Sequence, residues 1–284
     1  MRILIVGASG YIGARLVSLL SARGHDLVLM SRDARPLAAR FPVARVVAAD
    51  LLDPVTLEPA LEGVEVAYQL AHSMGGGEAG FAERDRRAAH DFAQAAARAG
   101  VSRIVYLGGL GDDAASLSHH LASRHETGAE LASAGVPVTE FRAAVIIGSG
   151  SASFEILRHL TERLPVMITP RWVGTRCQPI GIRDVLDYLA AALDHPEVTG
   201  IVEIGGPDVL SYGDMMRTYA RLRGLRRLMI PVPVSIAQST SFMHRTGPRT
   251  AGPRGSPTRG RTRRSTTTSA GRRSSPRPRS RRTA

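Results

Sequence analysis

An α/β protein, with a doubly wound parallel sheet and a small C-terminal cap, is predicted by three observations. Short apolar runs alternate with helix-length segments over residues 1–150. The first run, RILIV at 2–6, leads straight into the glycine-rich segment GASGYIG. An amphipathic stretch, YIGARLVSLL, follows at once. Strands alternating with helices imply βαβ crossovers, and therefore parallel strands covered by helices on both faces.

Residues 2–6 read as the first strand and 11–23 as the first helix. DLVLM at 26–30 is the second strand, ARVVAA near 44–49 the third and VEVAYQLA at 64–71 the fourth. An alanine-rich helix at 79–99 stops at Gly100, where glycine can end it in a left-handed conformation. RIVYLGG at 103–109 is the fifth strand, 118–134 a helix, and VPVTEFRAAVIIG at 136–148 the sixth strand. Beyond 150 the alternation loosens, with helices near 152–163, 184–194 and 211–223 and strands near 178–182 and at GIVEIGG. The organisation expected is a nucleotide-binding core at 1–150, a cap segment at 151–236 completing the same domain, and a tail at 245–284.

The net charge of +12 suggests nucleic acid until its distribution is read. The last carboxylate is Asp214, and 13 of the 37 basic residues lie between Arg245 and Arg282, leaving 24 against 25 acids before them. The body is thus near neutral. From Arg245 onward no aromatic and no aliphatic residue larger than alanine occurs, so this stretch lacks the means to bury a core and reads as a disordered arginine-rich tail. A basic arm, a plain extension and an off-frame translation product are all open for it. The chain has no lysine, which points to a GC-rich gene, and shifted GC-rich codons yield mainly Arg, Pro, Gly, Ser, Ala and Thr. Composition favours that last origin, and a nucleic-acid partner is not expected. No apolar run approaches the ~18 residues of a membrane span, and MRILIVGASG lacks the form of a signal peptide. Cys177 is the single cysteine, which excludes a disulfide framework and a cysteine-based metal cluster. A cytoplasmic location is expected.

Gly7, Gly10 and Gly13, with Ala8, Ser9, Tyr11 and Ile12 between them, sit where a strand passes into a helix. The first glycine permits the tight turn, the second lets backbone approach a pyrophosphate, and the third allows helix to pack on strand. Backbone N–H groups of the helix start then face the phosphates, with the helix dipole behind them. The second strand ends LMSRD, placing Ser31 and Arg32 where a ribose 2′-phosphate would lie. Arginine binds phosphate bidentately, so NADP(H) is preferred. Asp33 could instead accept from the ribose hydroxyls, which keeps NAD(H) possible.

Gly7-x-x-Gly10-x-x-Gly13, Ser31-Arg32 and ADLLD around Asp50 together resemble the short-chain dehydrogenase/reductase superfamily, with its Rossmann-type core. LAHSMGGG, RIVYLGGLG, SRHETGAEL, FRAAVIIGSGSASFE and EIGGPDVLSYGDMM resemble its atypical branch, the NmrA-like and YbjT-like NAD(P)H-binding proteins. The resemblance runs from Met1 to about Ile236. It implies that Asp50 and Leu51 lie against the adenine and that Ala71, His72 and Ser73 lie near the nicotinamide-side ribose. It also implies a loop over the cofactor at Gly75 to Gly77. Asp50 could equally cap the helix opening at Pro54, and the glycine triplet could be linker.

Reductases of that superfamily generally carry a Tyr-x-x-x-Lys pair on the helix after the fifth strand and a serine at that strand's end. Here the pair falls on His120-x-x-x-Arg124, and the strand end reads YLGGLGDD, without a hydroxyl. His120 could move protons near neutral pH. Arg124 could hold a ribose or phosphate but not act as a base. HHLASRHE also has the look of a metal site, yet the i+4 partners of His119 and His120 are Ser123 and Arg124, so no metal is expected. No G-x-S-x-G elbow is present either. Substrate-side candidates are Arg142, Arg171, Trp172, Arg176 and Gln178, although the arginines of TPRWVGTRCQPI could simply solvate a loop. Arg183, Asp184 and Asp187 read as helix caps and flanks. Three functions follow: an NADP(H)-dependent oxidoreductase with an unknown small substrate, a non-catalytic NADP(H)-sensing regulator with a protein partner, and, remotely, nucleic-acid binding through the tail.

Overall fold

A computed structural model describes residues 1–71, 80–111 and 119–232, apart from the side chains of Phe81 and His120. The described residues all belong to the compact unit Met1–Ile236, and the segment 237–284, with the whole 245–284 tail, lies outside the described residues.

In chain order the first half contains β1 (Arg2–Val6), α1 (Tyr11–Ala22), β2 (Asp26–Ser31), α2 (Ala34–Arg40), β3 (Arg45–Ala48), α3 (Pro54–Leu61), β4 (Val66–Gln69), α4 (Phe81–Arg98), β5 (Arg103–Gly109), α5 (His119–Ala132) and β6 (Val138–Ala143). After these come β7 (Ile146–Ile147), α6 (Ala152–Arg163), β8 (Val166–Thr169), a 3-10 turn at Arg171–Gly174, β9 (Arg176–Cys177), β10 (Ile180–Gly181), α7 (Ile182–Ala191), β11 (Gly200–Ile204), β12 (Leu210–Ser211), α8 (Tyr212–Leu222) and β13 (Leu228–Pro231). The short helices α2 and β-strands β8 and β13 carry too few periodic residues to stand out in sequence, and the expected sixth strand ends earlier, with β7 splitting off toward β10.

Seven strands form one sheet in the order β11-β6-β5-β4-β1-β2-β3, every pair parallel. The order reverses at β1, which lies between β2 and β4, and such a switch point leaves a crevice beyond the carboxyl ends of the strands. Side-chain alternation along β1 explains the double winding. Ile3 and Ile5 face one core with Leu16, Val17 and Leu20 of α1 and Val185 and Leu189 of α7. Leu4 and Val6 face the other, with Leu57 and Leu61 of α3, Phe92 of α4 and Leu131 of α5. Both faces of the sheet are therefore dry, which is why its strands read as continuous apolar runs.

The later residues split between two tasks. Strand β11 pairs with β6 and extends the sheet, while α7 packs beside α1. Helices α6 and α8 with the β8–β13 pair enclose a separate small core of Val145, Leu157, Met167, Met215 and Met216.

Candidate functional site

The site is built at the carboxyl edge of the sheet. Gly7 leaves β1 with φ of 86°, a conformation that L side chains adopt rarely. A Cβ there would lie 2.8 Å from the backbone nitrogen of Ala71, so the turn after β1 rests on the chain leaving β4. At Gly13 a Cβ would run into the carbonyl oxygen of Gly7, which fixes the close approach of α1 to the turn. Gly10 N–H donates to Gly7 O at 2.9 Å, and Gly10 stands exposed as the N-cap of α1 without a side-chain cap. The first backbone N–H groups of α1 are thus left for an external acceptor. Ala8 is fully buried, Ser9 exposed, and Tyr11 and Ile12 half-buried. Tyr11 packs toward Gly148 and under the Arg15 guanidinium, which donates to Ser149 O at 3.0 Å and ties the loop after β7 to α1.

Beyond β2, Ser31 is half-buried and Arg32 exposed. Asp33 is committed elsewhere. Its carboxylate caps α2 by accepting from Arg35 N–H at 3.1 Å and also takes two bonds from the Arg35 guanidinium. Those hydrogen bonds hold Asp33 below the usual carboxylate range. Beyond β3, Asp50 Oδ1 accepts from Leu52 N–H at 3.0 Å and so shapes its own turn, while Asp53 is the N-cap residue before Pro54. Leu51 and Ala71 both pack, half-buried, at the margin of the same apolar core, opposite sides of the crevice beside β1. His72, Ser73 and Gly75 to Gly77 lie outside the described residues.

At the end of β5, Gly108 and Gly109 stand at the strand end where the resemblance implies a serine. The Cβ space of Gly109 is already taken by Leu121 Cδ1 at 2.5 Å and Arg124 Cδ at 3.3 Å. Helix α5 is fastened to this strand end by His125, whose Nε2 lies 2.9 Å from Gly109 O, and by Tyr106, whose hydroxyl donates to Arg124 O at 3.0 Å. The Arg124 guanidinium is largely buried, its Nε without a hydrogen-bond partner, and burial pulls its pKa below the ordinary arginine value. The His120 side chain lies outside the described residues.

Arg142 sits on β6, buried rather than open to a ligand, with its Nε 2.8 Å from Glu140 Oε1. Residues two apart on a strand share a face, and the pair packs between Gly108 of β5 and Gly128 of α5. Sequence reasoning passed over Glu140 and Gly128. Two signals were present: opposite charges at i and i+2 in an otherwise apolar strand, and a lone glycine inside a helix, which often marks a close approach. Gln178 donates its amide to Gly206 O, holding the loop after β11. Arg171 is exposed and lines a cleft of about 410 Å³ in the small lobe, with Ser211, Arg217 and Met229 among its walls. Trp172 stacks edge-on against Tyr212, with ring centroids 5.7 Å apart. Among the described residues no group of His, Cys, Asp or Glu is arranged to hold a metal ion.

A glycine turn cradled between β1 and β4, an uncapped helix start and a switch point on a doubly wound sheet define a dinucleotide-binding protein. The family model described as NAD(P)H-binding matches residues 7–144. Just under half of the chain accordingly matches an NAD(P)H-binding domain. The chain is similar to the chloroplastic divinyl chlorophyllide a 8-vinyl-reductase of Oryza sativa subsp. indica, at 28% identity over 85% of this chain and 63% of that protein. It thus spans less than two thirds of that relative's length. A 3-beta-hydroxysteroid dehydrogenase of Mycolicibacterium neoaurum is 31% identical over 37% of this chain and 31% of its own. Among solved structures, a nucleoside-diphosphate-sugar epimerase from Staphylococcus aureus shares the fold with a TM-score of 0.70, at 17% identity over 85% of this chain and 83% of that one.

Proposed function

We propose that this chain is an NADP(H)-dependent oxidoreductase acting on a small substrate. The observation that carries the choice of NADP(H) is the state of the second-strand edge. Arg32 is exposed there, while the neighbouring carboxylate of Asp33, the natural acceptor for an unphosphorylated ribose, is held by Arg35. The Gly7 to Gly13 turn would hold the pyrophosphate, Asp50 and Leu51 the adenine, Ala71 the nicotinamide-side ribose, and Ser31 and Arg32 the 2′-phosphate. When bound, the nicotinamide supplies or takes up a hydride. The chain's own part is to orient both reactants at the carboxyl edge and to provide a proton, for which His120 stands in the tyrosine position. Several relatives are named as reductases or dehydrogenases, which supports redox chemistry. No helix among the described residues is long and apolar enough to cross a membrane, and we place the work of the protein in the cytoplasm with a small molecule as its partner.

A second reading, a nucleotide-sensing regulator without turnover, draws support from the filled space at Gly109, where the carbonyl-polarising hydroxyl of related reductases has no room. Consumption of NADPH in a substrate screen, abolished in His120→Ala, separates the two.

The deciding experiment is a fluorescence titration with NADPH and NADH of the wild type and Arg32→Ala. Loss of one charge-assisted contact predicts at least about tenfold weaker NADPH binding with NADH affinity within about twofold. Equal affinities that ignore the substitution would remove the 2′-phosphate assignment.

A further inference from the structure

We propose that Arg124 is the recognition residue for an oxyanion on the substrate, a carboxylate or a phosphate, so that the protein acts on anionic molecules. The inference rests on the nucleotide reading above for the place of the crevice, and on the surroundings of Arg124 for the rest. Buried charges are normally paired, because leaving water without a counter-charge is costly. Among the described residues, the buried Arg142 is paired with Glu140, and the buried Arg103 donates to the carbonyls of Ala192 and His195. Arg124 makes no ion pair with a described residue, and its Nε is buried without a partner. Of the groups around it, the half-buried Asp85 on α4 raises its pKa only as a lesser influence beside burial, and Tyr106 faces it as a neutral phenol with its own pKa pushed up by burial.

The position is also that of a ligand rather than a structural contact. Arg124 lies against Gly109, the last residue of β5, and β5 pairs with β4, the strand that borders the switch point. Ligands of open α/β sheets bind beyond these strand ends. The cofactor's pyrophosphate belongs at the start of α1, beyond β1, with β4 intervening. An anion presented at the β5 end therefore comes from the second reactant. The missing side chain at Gly109 leaves α5 close to the strand, and His125 and Tyr106 hold that helix in place, so the guanidinium is preset before a substrate arrives. A preset planar donor fork favours a planar carboxylate or a phosphate over a neutral group.

Fluorine NMR of the full chain with para-fluorobenzoate and its neutral counterpart para-fluorobenzamide tests this, with and without NADPH. The wild type is expected to bind the benzoate at least about tenfold more tightly than the amide. Arg124→Gln should erase that preference while NADPH affinity stays within about twofold, and Arg124→Lys should restore part of it. Equal binding of the two probes to the wild type overturns the proposal. So does a preference that survives in Arg124→Gln, or a loss in that variant that falls on NADPH rather than on the benzoate. Failure of the wild type to bind NADPH is read separately and counts against the nucleotide assignment, because the two probes are compared in its absence as well.

Discussion

Gly13 has no room for a methyl group. Its Cβ would enter the carbonyl of Gly7, and since that carbonyl is backbone, neither partner can turn aside. Gly13→Ala should therefore displace the turn, lowering NADPH affinity at least about tenfold and stability by about 1–3 kcal/mol, as overpacking does. Titration and thermal denaturation of the same sample check both. At the same scale, Arg32, Asp33 and Arg35 show how a neighbour changes the meaning of a residue. Asp33 beside Arg32 leaves the nucleotide ambiguous in sequence, and in the structure the Asp33 carboxylate is taken up by Arg35. Arg142, legible as a candidate for substrate contact, turns out to be half of a buried ion pair because Glu140 lies on the same strand face.

Elements carry the next level of the argument. Helix α5 is weakly amphipathic by pattern, yet it is held firmly because Gly128 admits Glu140, His125 reaches Gly109 and Glu130 meets Arg86 and His90 of α4. Helix α8 shows the opposite case, in which a local signal suffices. Ser211 Oγ accepts from Asp214 N–H at 3.1 Å, and the Asp214 carboxylate accepts in return from Ser211 N–H at 3.0 Å. This capping box starts a helix that delivers Met215 and Met216 to the small core. Ser211→Ala should cost about 1 kcal/mol, measurable in urea denaturation. Serine followed three residues on by an acid is a recognisable helix start.

At the scale of the molecule, two phenols make stability depend on alkaline pH. Tyr68 is wholly buried and donates to Leu189 O at 2.7 Å, joining β4 to α7, and Tyr106 is equally buried on β5. Burial pushes both pKa values well above the ordinary tyrosine value. The unfolded chain releases these protons near pH ~10, while the folded chain retains them. Stability is then fully present below that pH and falls as pH rises beyond it. Thermal midpoints recorded from neutral to strongly alkaline pH should show this fall. Tyr68→Phe should lower the neutral midpoint through its lost hydrogen bond, about 1 kcal/mol, but flatten the alkaline decline.

The sequence by itself determined the sheet, the glycine turn and most of the helices, including β1, α1, β5 and α6, whose bounds it placed within a residue or two. Those features are written in patterns between residues close along the chain: alternation of apolar runs, glycine spacing, a cap. Tertiary structure alone decided the order of strands around β1, the return of β11 to the sheet, the pairing of Arg142 with Glu140, and the placing of Arg124 beside Gly109 without an ion-pair partner among the described residues. Each of these depends on residues brought together from separate elements, and a charge declares its role only through the partner that folding sets beside it, or withholds.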